Sequence, residues 1–224
     1  MSRFTTKGIA AVSSLLVIGV LVFCLTVRGC NKAYPERISR WLEGIPCSAP
    51  CWEGITPGKT TISDALNLLS QNQFVDQASS LHIQSAGFFG WCWNDSDLSM
   101  GNLHYTDNVV DFVSVDLPEE VLLRDVMQAY GEPSHVVAYK LYGQYGDGPF
   151  YALDIIYESR GFTLDTGFLY RQPPNMNDRL VFNKLYFRTS PYNPWQSGAS
   201  TIIPWEGFKD FSFYCRYESG AMCE

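Results

Sequence analysis

Downstream of Thr60 the spacing of apolar side chains changes period twice. Ile62, Ala65, Leu66 and Leu69 recur at i, i+3, i+4 and i+7, which is one face of a helix, and Thr61 with Asp64 forms a capping box at its start. A second helical pattern begins near Pro118, with Glu119 and Glu120 suited to the positive end of a helix. Its face is Leu122, Val126, Ala129 and Tyr130, and Gly131 with Pro133 ends it. Elsewhere the period is two: Tyr151, Leu153, Ile155 and Tyr157 alternate with Ala152, Asp154, Ile156 and Glu158, and a second alternation runs from Phe162 to Phe168. Further strands are expected at 81–93, 102–106, 109–117, 135–142 and 179–188, joined by turn-rich pieces such as Gly143 to Pro149. The expected fold class is α+β: two helix-plus-antiparallel-meander units, over 55–117 and 118–190, sharing or abutting one sheet, with a capping segment at 191–224.

A different pattern precedes this domain. Twenty residues without a charge separate Lys7 from Arg28, and Ile9–Val27 is almost wholly apolar. At 1.5 Å per residue such a run spans about 30 Å, the hydrocarbon thickness of a bilayer. A transmembrane or signal-anchor helix is therefore expected within residues 1–30, with the membrane as its partner through residues 9–27, followed by a tether and connecting loop over 31–54. A short helix at Glu36–Leu42 fits inside that loop, which Pro35, Pro46 and Pro50 otherwise interrupt. Val27-Arg28-Gly29-Cys30 resembles a bacterial lipobox, so lipidation of Cys30 is the alternative anchor.

Cysteine usage places the body of the chain. Cys24 lies in the apolar run, while Cys30, Cys47, Cys51, Cys92, Cys215 and Cys223 lie beyond it, a density that favours an oxidising compartment outside the cytoplasm. Local spacing favours a bridge among Cys47, Cys51 and Cys92 and another between Cys215 and Cys223. The net charge is −7, and without residues 1–30 it becomes 13 − 23 = −10. With no cluster of cations, nucleic acid is not an expected partner.

Ile55-Thr56-Pro57-Gly58-Lys59-Thr60-Thr61, followed by Leu66 and Leu69, resembles the "Gly-x-Thr, then helix" opening of small outer-membrane lipoproteins of the SmpA/OmlA type and of the beta-lactamase-inhibitor-like fold. Tyr130-Gly131-Glu132-Pro133-Ser134 is similar to their "Leu-Gly-x-Pro" helix exit. The resemblance implies helices packed on an antiparallel sheet, used to bind proteins.

Candidate chemistry is sparse. His82, His104 and His135 each fall in or beside an expected strand, and no Gly-x-Ser-x-Gly elbow accompanies them. Cys47 and Cys51 are separated by three residues, not the two of a thioredoxin motif. Zinc held by Cys47, Cys51, Cys92 and a histidine competes with disulfide formation, and Asn94-Asp95-Ser96-Asp97 lacks the glycine of a calcium loop. Neither a metal nor a cofactor is expected. Aromatic residues are the compositional excess, with 14 Phe, 13 Tyr and 6 Trp. Trp91 and Trp93 beside Cys92, and Trp195 and Trp205 in the C-terminal segment, are the candidate binding residues, with most aromatics expected in the core and Trp195 or Trp205 exposed. The expected function is a non-catalytic, membrane-anchored module that binds another envelope or surface protein; the alternative is an anchored hydrolase or thiol enzyme using His82, His104 or Cys92.

Overall fold

A computed structural model of the chain describes residues 36–83, 87–94, 96–142, 149–167, 170–189 and 202–215. Contacts divide the chain into Met1–Glu36 and Arg37–Glu224, and the architecture below is that of the second unit. The apolar run at 9–27 lies outside the described residues, and no described helix is long and apolar enough to cross a membrane.

Among the described residues four α-helices, α1 (Glu36–Leu42), α2 (Ile62–Gln71), α3 (Leu123–Tyr130) and α4 (Phe211–Tyr214), accompany nine strands. These are β1 (Val75–Ile83), β2 (Phe88–Trp93), β3 (Ser96–Thr106), β4 (Val109–Leu122), β5 (His135–Tyr142), β6 (Pro149–Tyr157), β7 (Phe162–Asp165), β8 (Val181–Arg188) and β9 (Ile203–Pro204). All pair antiparallel in one sheet of order β1-β2-β3-β4-β8-β7-β6-β5-β9. The class is thus α+β. Each of α2 and α3 is followed by a four-strand meander, and the last strands of the two meanders, β4 and β8, pair antiparallel. That join relates the halves as a local two-fold axis normal to the sheet would.

Residues opposite one another on a ladder share a face. Val113 with Phe187 and Val115 with Leu185 lie on one face, where Phe162, Leu164, Ile155 and Leu103 continue the layer; all eight are buried. The helical side of the molecule packs there. Trp41 of α1 meets Phe162 and Phe187 at centroid distances of 5.4 and 6.4 Å, Tyr130 of α3 meets Phe162 at 5.1 Å, and the Tyr130 hydroxyl donates to the Trp41 carbonyl. Residues 37–54, expected as tether and loop, contribute Ile38, Trp41 and Trp52 to this core.

The α2 start follows its sequence signal: Thr61 Oγ1 accepts from the Asp64 N–H at 3.1 Å. The other helix start does not. Pro118 lies inside β4, whose register with β8 breaks between Asp116 and Val121 and then resumes with Val121 opposite Phe182. A proline cannot donate to a ladder and is tolerated at such an irregularity. α3 instead begins at Leu123, where no side chain caps it. The Leu123 and Arg124 N–H groups donate to the carbonyls of Leu180 and Asp178, so a distant loop satisfies the first donors of the helix. The strand expected over 81–93 is two strands, with Gly87 at φ +62° before the second. β9 and α4 interrupt the segment expected only as a capping tail.

Two glycines make room for aromatic rings on opposite faces. Gly101 pairs with Trp91, and a Cβ on Gly101 would stand 2.0 Å from the indole; a Cβ on Gly90 would stand 3.2 Å from the Phe88 ring. Trp91, 1% exposed, lies over Gly101 and stacks on Trp52 at 5.7 Å. Gly101→Ala is therefore expected to lower the unfolding free energy by about 2–4 kcal/mol, because the ring must leave its site. Gly131→Ala, at φ +85° and ψ −164° with nothing within 4 Å of the new methyl, should cost the backbone strain alone, about 1–3 kcal/mol. Urea midpoints of the two variants test this; a Gly101→Ala midpoint equal to that of the parent protein would remove the ring contact as the reason for Gly101.

Candidate functional site

The second face of the sheet is where polar and aromatic side chains collect. β4 contributes Phe112, Ser114 and Asp116, opposite Arg188, Tyr186 and Lys184 of β8, and Met100, Asn102 and His104 of β3 lie beside them. Phe112 stacks on Tyr186 at 5.6 Å, and the Arg188 guanidinium lies 4.9 Å from the Phe112 centroid and 5.6 Å from that of Tyr186. Such cation–π contacts hold a cation flat against rings while its edge can still donate. Beneath them Ser114 and Thr163 are small and buried, so the rings form the outer layer.

Ion pairs and hydroxyl bonds set the geometry around that layer. Lys184 Nζ is 3.0 Å from Asp116 Oδ1, and the Tyr186 hydroxyl donates to Asp165 Oδ2 at 2.9 Å. The Tyr139 hydroxyl donates to Asp154 Oδ2 at 2.7 Å, and Asp154 is only 5% exposed. Burial first, then the neighbouring carboxylates of Asp165, Asp154 and Asp116, raise the Tyr186 phenol far above its ordinary value. A proton-donating tyrosine fits between acids in that way, and it is no nucleophile.

At the hairpin joining β3 and β4, His104 Nδ1 lies 3.0 Å from Asp111 Oδ1, and Thr106 Oγ1 donates to Asp111 Oδ2 at 2.7 Å. Asp107 and Asn108 make that turn with φ of +49° and +67°, as a tight two-residue hairpin requires. The carboxylate orients the imidazole in the manner of a general base. His135 Nδ1 is 3.6 Å from Glu158 Oε2, while for His82 only the backbone, in β1, is described. His104 and His135 do not converge, since β3 and β5 lie five steps apart in the sheet order.

The expected site residues are distributed as follows. Trp91 and Trp93, 1% and 2% exposed, belong to the packed face and offer no surface; the Trp93 indole N–H donates to the Asp116 carbonyl at 2.9 Å. The reason is register, since the alternation that puts Cys92 on the second face turns both indoles to the first. Trp205 is half-buried and stacks on Tyr214 at 6.0 Å. Trp195, Cys30 and Cys223 lie outside the described residues. Cys47 and Cys51 form a disulfide, Cys92 is a half-buried free thiol, and Cys215 is disulfide-bonded. Among the described residues no three His, Cys, Asp or Glu side chains are grouped to hold a metal ion.

Sequence reasoning missed Phe112, Tyr186, Arg188 and Lys184. The available signal was the polar half of the alternation in 109–117 and 179–188, which is silent about which strands lie side by side.

Burial raises other tyrosines as well: Tyr130 and Tyr170 each to about 12, and Tyr157 and Tyr214 upward, with Glu132 adding to Tyr157, Glu120 to Tyr170 and Arg160 opposing at Tyr130. A phenol with a raised pKa in the fold holds its proton while the unfolded chain releases it above about 10, so stability is complete below pH 10 and falls from there through about 12. Absorbance titration at phenolate wavelengths, with urea midpoints at each pH, should show ionisation of these tyrosines coinciding with loss of the fold. Ionisation of all thirteen near pH 10 in a folded protein would refute the assignment.

Compared with known protein families, curated proteins and solved structures, the chain gives no match.

Proposed function

We propose that this chain is an extracytoplasmic binding module that engages another envelope or surface protein without catalysing a reaction. Residues 9–27 hold it to the membrane as a transmembrane or signal-anchor helix, or lipid on Cys30 does so. The observation that carries the binding reading is the second sheet face, where Phe112, Tyr186 and Arg188 form an outer aromatic–cationic layer and Met100 is 50% exposed beside them. Aromatic rings and arginine supply large contact area at low entropic cost, which is what a protein interface uses. An oxidising compartment is supported by the Cys47–Cys51 disulfide and by the bonded Cys215. The resemblance to small envelope lipoproteins is a further motive for a binding role and adds no specific partner.

The oriented His104–Asp111–Thr106 array favours the second reading, an anchored hydrolase. In-cell cross-linking of the tagged full-length protein, followed by mass spectrometry, separates the two. The binding reading expects one reproducible envelope partner whose recovery falls about tenfold in Met100→Lys and in Phe112→Ala, with Met100→Lys leaving the unfolding midpoint unchanged because its side chain is half in solvent. Full recovery with both variants would sink the proposed face. No partner above background, together with esterase or amidase turnover lost in His104→Ala, would establish the hydrolase.

A further inference from the structure

The two sulfurs of the Cys47–Cys51 disulfide sit in different surroundings, although only three residues separate them. Cys47 follows α1 and is half-buried, while Cys51 is 7% exposed and leads directly into the buried Trp52. Thiol–disulfide exchange proceeds by attack of a thiolate on one sulfur while the other leaves, so access decides which sulfur is attacked. Here the accessible one is Cys47. The residues just before it are apolar and in solvent, with Ile45 46% exposed and Pro46 exposed beside it.

The same sulfur has a polar partner. The Gly54 N–H donates to Cys47 Sγ at 3.3 Å. A disulfide sulfur is a weak acceptor and a thiolate a strong one, so this contact gains strength when the bond opens with the charge on Cys47. The donor is fixed from both sides: Gly54 has φ +86°, and around it the N–H groups of Trp52 and Ile55 donate to each other's carbonyls at 2.9 and 2.8 Å.

The segment is also held by contacts other than the disulfide. Ile38 and Trp41 bury the chain before Cys47, and Trp52 and Ile55 bury it after Cys51. The Gly44 and Ile45 N–H groups donate to the carbonyls of Trp41 and Arg40, the Cys51 N–H donates to the Ser48 carbonyl at 3.1 Å, and Pro50 lies 2.8 Å from where a Cβ on Gly161 would stand. A cross-link that closes so short a loop removes less chain entropy than one that closes a long loop. Opening the bond therefore leaves the two thiols near one another and the anchors on either side in place.

We propose that Cys47–Cys51 is an exchangeable disulfide, reduced by the dithiol of another protein through attack on Cys47 Sγ. A thiolate of the donor forms a new S–S bond to Cys47 as the Cys47–Cys51 bond breaks, and Cys51 leaves as a thiolate that takes a proton from solvent. The second thiolate of the donor then attacks its own sulfur in the mixed disulfide and releases Cys47 as a thiolate held by the Gly54 N–H. The donor ends as a disulfide and the pair as two reduced cysteines, a two-electron change. This is a change of state in the chain that goes beyond the binding reading and is independent of how residues 9–27 are placed.

The test equilibrates the full-length protein with dithiothreitol in native buffer, quenches in acid, alkylates, and maps the cysteines by peptide mass, while near-UV circular dichroism follows the buried indoles. Cys47–Cys51 should open with the dichroism signal retained and close again in oxidised glutathione. In Cys51→Ser and Cys47→Ser, oxidised glutathione should form its mixed disulfide at Cys47 at least about tenfold faster than at Cys51. A bond that stays closed, or opens only as the dichroism signal is lost, is a structural cross-link and overturns the proposal. Capture at Cys51 as fast as at Cys47 overturns it as well, and the first measurement needs no variant.

Discussion

Everything in the described unit hangs on the ladder between β4 and β8. It is the one seam at which two meanders, each with a free edge, become a single sheet, and its register decides which side chains face which way. With Val113 opposite Phe187 and Val115 opposite Leu185, four large apolar side chains enter the packed face, while Phe112, Tyr186, Arg188 and the Lys184–Asp116 pair emerge on the other. A one-residue slip would exchange the two sets, burying two cations and exposing the core. The same seam explains the break at Asp116: the strand must resume pairing at Val121 before α3 begins, and the extra residues around Pro118 take up the difference.

How far the fold was legible depended on whether a segment's structure is set locally or by a neighbour distant in sequence. α2 was legible because its cap and its apolar stripe lie within ten residues, and the Thr61–Asp64 bond is what the pattern promised. The strands at Tyr151–Tyr157 and Phe162–Asp165 were legible for the same reason, but not their burial: Ala152–Tyr157 and Phe162–Leu164 are buried at every position, because both faces are covered there. The start of α3 was not, because its first N–H groups are satisfied by carbonyls at Asp178 and Leu180, more than fifty residues along the chain. Pro118, Glu119 and Glu120 have the local chemistry of a helix start, and tertiary pairing overrode it. Similarly, a sequence shows that Trp91 and Trp93 are aromatic but not that Gly101 and Trp52 wait to receive the first of them.

The second sheet face and the C-terminal turn at Glu206–Gly207 differ in how they are made. The sheet face gets its shape from cross-strand register, so its side chains are held by the most cooperative part of the structure and its polar groups are already paired: Tyr186 to Asp165, Lys184 to Asp116, His104 to Asp111. A surface whose charges are paired in place costs less to desolvate than one of isolated charges, which suits a protein partner of matching shape. The C-terminal loop is made from a single buried tyrosine that gathers the backbone of Glu206 and Gly207 under an aromatic group. Its shape therefore depends on one side chain, whereas that of the sheet face is shared among three strands.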